Sequence, residues 1–151
     1  MHRHAEIRHS PHTPEQLYAL VLDIERYPEF IPWVRAARIL ERQDDYFVGE
    51  LVVSFSGFTE RYSSRVIPDA AALKIDVALV RGPFTTLSNH WKFEPAPQGG
   101  TNIHFDVAFE FKSKLLDKLM GAIFARACDK MGEAFVKRAD ALYGAKATSS
   151  V

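Results

Sequence analysis

"TNIHFDVAFEFKSKLLDKLMGAIF", Thr101 to Phe124, changes its hydrophobic period partway along. From Thr101 to Phe111 the apolar residues alternate. Ile103, Phe105, Val107, Phe109 and Phe111 share one side, and Asn102, His104, Asp106 and Glu110 the other. That is a strand of an antiparallel sheet with one face buried and one wet. From Ser113 onward the spacing becomes three or four, through Leu116, Leu119, Met120, Ile123, Phe124, Ala127, Met131, Ala134, Phe135 and Leu142. Ser113 is an N-cap and Gly144 an end, which predicts a helix of about 30 residues and about 45 Å. So long a helix cannot bury its stripe alone. It requires a sheet wide and curved enough to receive it.

Upstream, the sequence supplies that sheet. Val34–Arg42, Tyr46–Phe55, Thr59–Ile67, Leu73–Val80 and the run ending at Phe93 read as successive strands, with turns at Asp44–Asp45, Ser56–Phe58, Pro68–Asp69 and Gly82–Phe84. Phe47, Leu51, Val53 and Phe55 share one face, and so do Leu73, Ile75, Val77 and Leu79. Before them, Arg3–His9 alternates weakly, with Ala5 and Ile7 on one side, and reads as a short first strand. A helix follows, opened by a capping box at Thr13 and Gln16 with Pro14 first, striped by Leu17, Leu20, Val21 and Ile24, and stopped by Pro28. "YPEFIPW", Tyr27 to Trp33, is a turn or second short helix. The order is strand, two short helices, six strands, long helix: an α+β domain over 1–145, with a flexible tail at 146–151.

One domain suits 151 residues. A single cysteine, Cys128, rules out an internal disulfide framework and fits a reducing compartment. No run is long and apolar enough for a membrane span, and "MHRHAEIRHS" lacks the apolar core of a signal peptide. A cytoplasmic protein is expected, with peripheral contact at the inner face of the membrane open to it. Net charge is zero, which gives no general attraction to nucleic acid, and no DNA partner is expected. Between Lys112 and Lys146, however, eight Lys or Arg stand against four acids. That ridge is either a solvated helix face or a surface for phosphates of lipid or RNA, with Lys114, Lys118 and Lys137 as its steering charges.

The strand through Leu87, Asn89, Trp91 and Phe93 turns Leu, Trp, Phe and one amide to the same side. An apolar wall with an isolated polar group suggests a cavity between sheet and helix. The expected wall is Leu51, Val53, Phe55, Tyr62, Leu73, Ile75, Val77, Leu87, Asn89, Trp91, Phe105, Val107 and Phe109. Leu116, Leu119, Met120 and Ile123 of the long helix should close it. Phe84, exposed on its turn, and Phe30 and Trp33, on the "YPEFIPW" turn, are expected to meet as a gate at its mouth; the alternative is that Phe84 plugs a closed core. Asn89, Glu60 and Tyr62 are the polar candidates for a ligand's head group, and Glu60, Tyr62 and Ser64 for an acid or base if the cavity is catalytic; the alternative for the strand is a polar end at the sheet rim.

Taken together, "YPEFIPW", "ERYSSRV" (Glu60–Val66), "GPFTTLSNHWKF" (Gly82–Phe93) and "FDVAFEFKSKLL" (Phe105–Leu116) resemble the coenzyme Q-binding branch of the START-like, polyketide cyclase-like superfamily. Some bacterial members of that branch carry the label of ribosome-association toxin. The resemblance spans about Arg3 to Gly144. It implies a helix-grip fold, a curved sheet of about seven strands around the long helix. It also implies a ubiquinone or related isoprenoid lipid as bound ligand, a carrier role supporting respiration, and no catalytic set. A ribosome-binding protein using the basic helix and a cyclase or hydrolase are the alternatives. The residues themselves show no P-loop, dinucleotide fingerprint or zinc-helix motif. Cys128 falls near the apolar stripe and reads as core. His2 and His4 share a strand face with His9 and His12 nearby, but no carboxylate cluster stands beside them, so no metal is expected.

Overall fold

The structure, a computed structural model, describes residues 1–55 and 57–144. Ser56 of the expected turn and the tail at 146–151 lie outside the described residues. Strand β1 (His2–Ser10) leads through Thr13 into α1 (Pro14–Leu22) and a 3-10 turn at Ile24–Glu29. Six strands follow: β2 (Val34–Arg42), β3 (Phe47–Phe55), β4 (Phe58–Asp69), β5 (Lys74–Arg81), β6 (Phe84–Pro95) and β7 (Thr101–Phe111). Helix α2 is Lys114–Tyr143. The strands form one antiparallel sheet in the order β1-β7-β6-β5-β4-β3-β2. The apolar faces meet α1, the 3-10 turn and α2 in a single core.

Both predicted helix starts form. The Gln16 N–H donates to Thr13 Oγ1 at 3.1 Å and the Thr13 N–H to Gln16 Oε1 at 3.0 Å, which completes the capping box. The Leu116 N–H donates to Ser113 Oγ at 3.1 Å. Helix α1 ends before the expected stop at Pro28, because the chain leaves α geometry at Asp23. Its N–H turns back to the Leu20 carbonyl, and Pro28 is absorbed in the 3-10 turn. The turn buries Ile24 and Tyr27 together, and the Tyr27 hydroxyl donates to the Val21 carbonyl.

Strand β1 is the surprise. Ala5 and Ile7 do share a face, and it is the solvent face, with Ile7 64% exposed. His2, His4, Glu6 and Arg8 turn inward beneath α2, which receives them with two glycines. A Cβ at Gly121 would overlap the His2 ring, and one at Gly132 would overlap Arg8 and Glu6. Helix and strand can therefore approach closely enough to exchange hydrogen bonds. His2 donates to Asp117 Oδ1 at 3.0 Å, Arg8 to Asp129 Oδ1 at 3.1 Å, and buried His12 to Asp140 Oδ1 at 2.8 Å.

Candidate functional site: a cavity beneath the long helix

Across β3 to β6 the inward positions run through Gly49, Ser64, Val66, Val77 and Asn89, with Gly49 opposite Ser64 and Val77 opposite both Val66 and Asn89. Gly49, Ser64 and Asn89 are small or polar, and Val66 and Val77 are shorter than the Leu51, Ile75 and Trp91 beside them, so the sheet is locally thin. A cavity of about 80 Å³ opens there. Of the expected wall residues, Leu51, Ile75, Val77, Asn89 and Trp91 line it, together with Ser64 and Val66. Val21, Ile24, Tyr27 and Met131 close it from the helical side. Sequence reading had assigned those four no part in a cavity, because Val21, Ile24 and Met131 fit the apolar stripes of their own helices, Tyr27 belonged to the "YPEFIPW" turn, and the void arises only where the elements meet.

The cavity is apolar apart from a few groups. The half-buried Asn89 amide and the Ser64 hydroxyl line it, and neither makes a side-chain hydrogen bond among the described residues; the buried polar side-chain atom left without a partner among them is Arg138 Nε, at the outer face of α2. Tyr62, expected in this wall, instead borders a separate void of about 10 Å³ beside Phe84, because its ring lies against the aromatic end of the core; burial pushes its phenol above the ordinary range. Burial does the same to Tyr27, so both phenols stay neutral. The lining contains no carboxylate, imidazole or amine. An acid–base pair for ring closure or hydrolysis would have to come from elsewhere. Glu60 sits one step along β4 from Tyr62, beside the same void of about 10 Å³, with no base facing it across that void.

Several expected wall residues are placed otherwise. Phe84 is not exposed at a mouth. It is 2% exposed, stacked on Phe111 at 4.8 Å between centroids and edge-on to Phe124 at 5.5 Å. The reason lies in its turn. A Cβ on Gly82 would overlap Tyr62, so glycine lets the turn lie down on β4. The Lys112 N–H then holds the Pro83 carbonyl at 2.8 Å, which sends the next ring inward. Phe30 and Trp33 do not meet it. They border an outer groove of about 440 Å³ with Lys130, Glu133, Lys137 and Arg138 of α2. Val53, Phe55 and Met120 bound the 10 Å³ void instead of the cavity, and Leu87, Phe105, Val107 and Phe109 are plain core. Leu116 and Ile123 are half-buried against that core. Leu119 is 62% exposed, because residues 116, 120, 123 and 124 already fill the buried arc of the helix. Leu73 precedes β5 in a left-handed conformation (φ 54°) and packs from the turn.

Two other clusters are resolved by the fold. Cys128 is buried, and loss of solvation, with Glu6 nearby, pushes its thiol up to about 12, which suits core and not a nucleophile. Contrary to expectation, carboxylates do stand beside the N-terminal histidines, because α2 brings Asp129 to β1. His4, Glu6 and Asp129 have donor atoms within 4.8 Å of one another. The Arg8 guanidinium bonds both carboxylates and balances their charge from within the protein.

Residues 10–136 match the family described as polyketide cyclase / dehydrase and lipid transport. A ribosome association toxin RatA of Rickettsia prowazekii is 42% identical over 132 residues, which cover 85% of this chain and 90% of that one. The mitochondrial coenzyme Q-binding protein COQ10 of Drosophila melanogaster is 30% identical over 129 residues, 83% of this chain and 53% of its own. A START superfamily protein from Mycobacterium smegmatis superposes with a TM-score of 0.77 at 21% identity, covering 94% of this chain and 99% of that one; this likeness concerns the fold. The helix-grip expectation is met. Among the described residues no helix is long and apolar enough to cross a membrane.

Proposed function

The chain belongs to the polyketide cyclase / dehydrase and lipid transport family, and from that premise we propose that it is a carrier for an isoprenoid quinone of the ubiquinone type, serving respiratory electron transport. The observation that carries this reading is the pairing of an apolar cavity with unpartnered neutral polar groups, Asn89 and Ser64, and no titrating acid or base in its lining. Such groups suit the carbonyl and methoxy oxygens of a quinone ring. Leaving a buried donor unsatisfied costs on the order of 1–3 kcal/mol, and a ligand oxygen recovers it. Tail burial adds about 0.8 kcal/mol per methylene. The relative named for coenzyme Q binding supports the same class of ligand.

At about 80 Å³ the cavity is below the ~300–1,000 Å³ typical of ligand sites, so loading requires the lining to move apart. Since the sheet side is tied by strand pairing, the parts that must shift on loading are Met131 and the 3-10 turn carrying Ile24 and Tyr27. Mass spectrometry of organic extracts of the purified protein tests the reading: a stoichiometric prenylated quinone is expected. Its absence, together with failure to take up added ubiquinone, overturns it.

A second reading has its own observation. The relative at 42% identity is named for ribosome association. Co-sedimentation of the purified chain with ribosomal subunits distinguishes the two, since a quinone carrier needs no such binding and a ribosome-directed protein needs no quinone.

A further inference from the structure

The basic ridge of α2 is not uniform. In its C-terminal half the cations are matched: Lys137 pairs with Glu133 at 3.4 Å, and Arg138 with Glu29 at 2.6 Å. At its N-terminal end, Lys112, Lys114 and Lys118 are exposed and have no ion pair among the described residues. The one acid of the first turn, Asp117, is turned away from them. It accepts from the Phe111 N–H at 3.0 Å and from His2. Cations in a helix's first turns also oppose the helix dipole, so folding gains nothing by placing them there.

Between these lysines lie two of the most exposed large apolar side chains of the molecule, Leu115 at 67% and Leu119 at 62%. They are one turn apart, so they form one stripe. The same end of the domain exposes Val80, at the close of β5, and Met1, whose sulfur lies 3.8 Å from Thr86 Oγ1 at the start of β6. Arg81 beside Val80 is exposed and also has no ion pair among the described residues.

We propose that this end of the domain, with Leu115 and Leu119 ringed by Lys112, Lys114 and Lys118, docks on an anionic lipid bilayer surface. An apolar stripe that enters the headgroup layer, bracketed by cations that meet lipid phosphates, is the arrangement an interfacial helix uses. A second protein copy would bring the same unpaired lysines against themselves. An RNA would use the lysines and leave the leucines in water. Phe84, where a gate was expected, lies at this same end but is buried and takes no part in the exposed surface. The proposal stands apart from the quinone reading: vesicle binding tests one, and co-purified quinone the other.

The test is sedimentation of the full chain with phosphatidylcholine vesicles, with and without phosphatidylglycerol, at rising salt. Binding is expected only with the anionic lipid, falling as salt rises. Replacing Lys112, Lys114 and Lys118 by Gln should weaken it about fivefold per lysine. Leu115→Ser with Leu119→Ser should weaken it about tenfold. Lys130→Gln with Lys137→Gln should leave it within about twofold. All these positions are exposed, so melting temperatures should match wild type and separate docking from folding. No binding to anionic vesicles overturns the proposal, as does binding insensitive to the leucines. Loss of ribosome or RNA binding in the lysine variant without vesicle binding, or a dimer broken by the leucine variant, overturns it too.

Discussion

The space beneath α2 has two ends built from the same sheet. At the end nearest the helix N-terminus, Phe84, Phe109, Phe111 and Phe124 interlock, with Phe109 and Phe124 at 4.5 Å between centroids, and the residual void is about 10 Å³. Toward its middle, Gly49, Ser64 and Asn89 replace rings, and the void is about 80 Å³. Burial is good in both. What differs is what the polar groups face. At the aromatic end the polar groups, Glu60 and Tyr62, stand at the edge of packed rings; at the other, an amide and a hydroxyl line open space and make no side-chain hydrogen bond among the described residues. A core that only needed to be stable would have filled that space with apolar side chains, since an unpaired buried group is a net cost and a methylene a net gain. The contrast thus separates a part of the core that holds the fold from one that gives up stability for a ligand.

The sharpest way to break this contrast is at Phe84. Phe84→Asp removes a ring from a filled site and leaves a carboxylate without a cation, so a loss above about 4 kcal/mol is expected in denaturant titration. A stability close to wild type would mean the aromatic end is not closed. Trp91→Ala comes next, on the cavity side. Removing a large buried ring costs about 3–5 kcal/mol. The low end is expected, because the gap merges with an existing cavity, and the quinone recovered per protein should fall. Retained quinone in a folded variant would move the ligand away from Trp91. Asn89→Leu should reverse the usual order of effects. Stability should hold or rise by up to about 1 kcal/mol as the unpaired amide is removed. Quinone affinity in a binding titration should drop about tenfold, equivalent to about 1.4 kcal/mol.

The smallest effect belongs to the seam at the aromatic end. The Phe111 N–H, with help from His2, holds the Asp117 carboxyl below its ordinary value. Its folded pKa is thus lower than its unfolded one, near 3.9. The contribution to stability is present above that unfolded value and is lost as pH falls through the folded one. Asp117→Asn should therefore lower the melting temperature slightly at neutral pH and converge on wild type as pH falls below about 4, which flattens the acid limb. An identical acid limb in both proteins would remove Asp117 from the seam's energetics.

How much of this could be read beforehand follows from where the information lies. Period two through Val107 and period 3.6 through Phe124 are local, and both elements formed within a residue or two of expectation. Thr13 and Ser113 are local signals as well, and both cap. The strand face of Asn89 and Trp91 was legible for the same reason. Phe84 was not. Its burial depends on Gly82 closing against Tyr62, a residue some twenty positions away whose nearness no spacing reveals. β1 failed in a similar way. His, Glu and Arg at alternate positions look like a wet face until two helix glycines and two aspartates a hundred residues later are brought over them. Met131 was legible on the stripe of its helix, but a cavity is a property of the gap between elements, and periodicity describes only the elements.

The pairing of β1 with β7, His2 opposite Phe109 through Ser10 opposite Thr101, bears on how the chain assembles. β2 to β7 can zip in sequence, each strand finding its partner across a short connection. β1 has no partner until nearly a hundred further residues are in place, and the helix that covers its polar face comes later still. Loop closure over that span makes the β1 edge a late event, after the meander has already collapsed. In the interval, one side of β7 presents open backbone donors and acceptors, the kind of edge on which another unfinished chain can add. A chain released or truncated before Phe111 has no resting place for its own first strand.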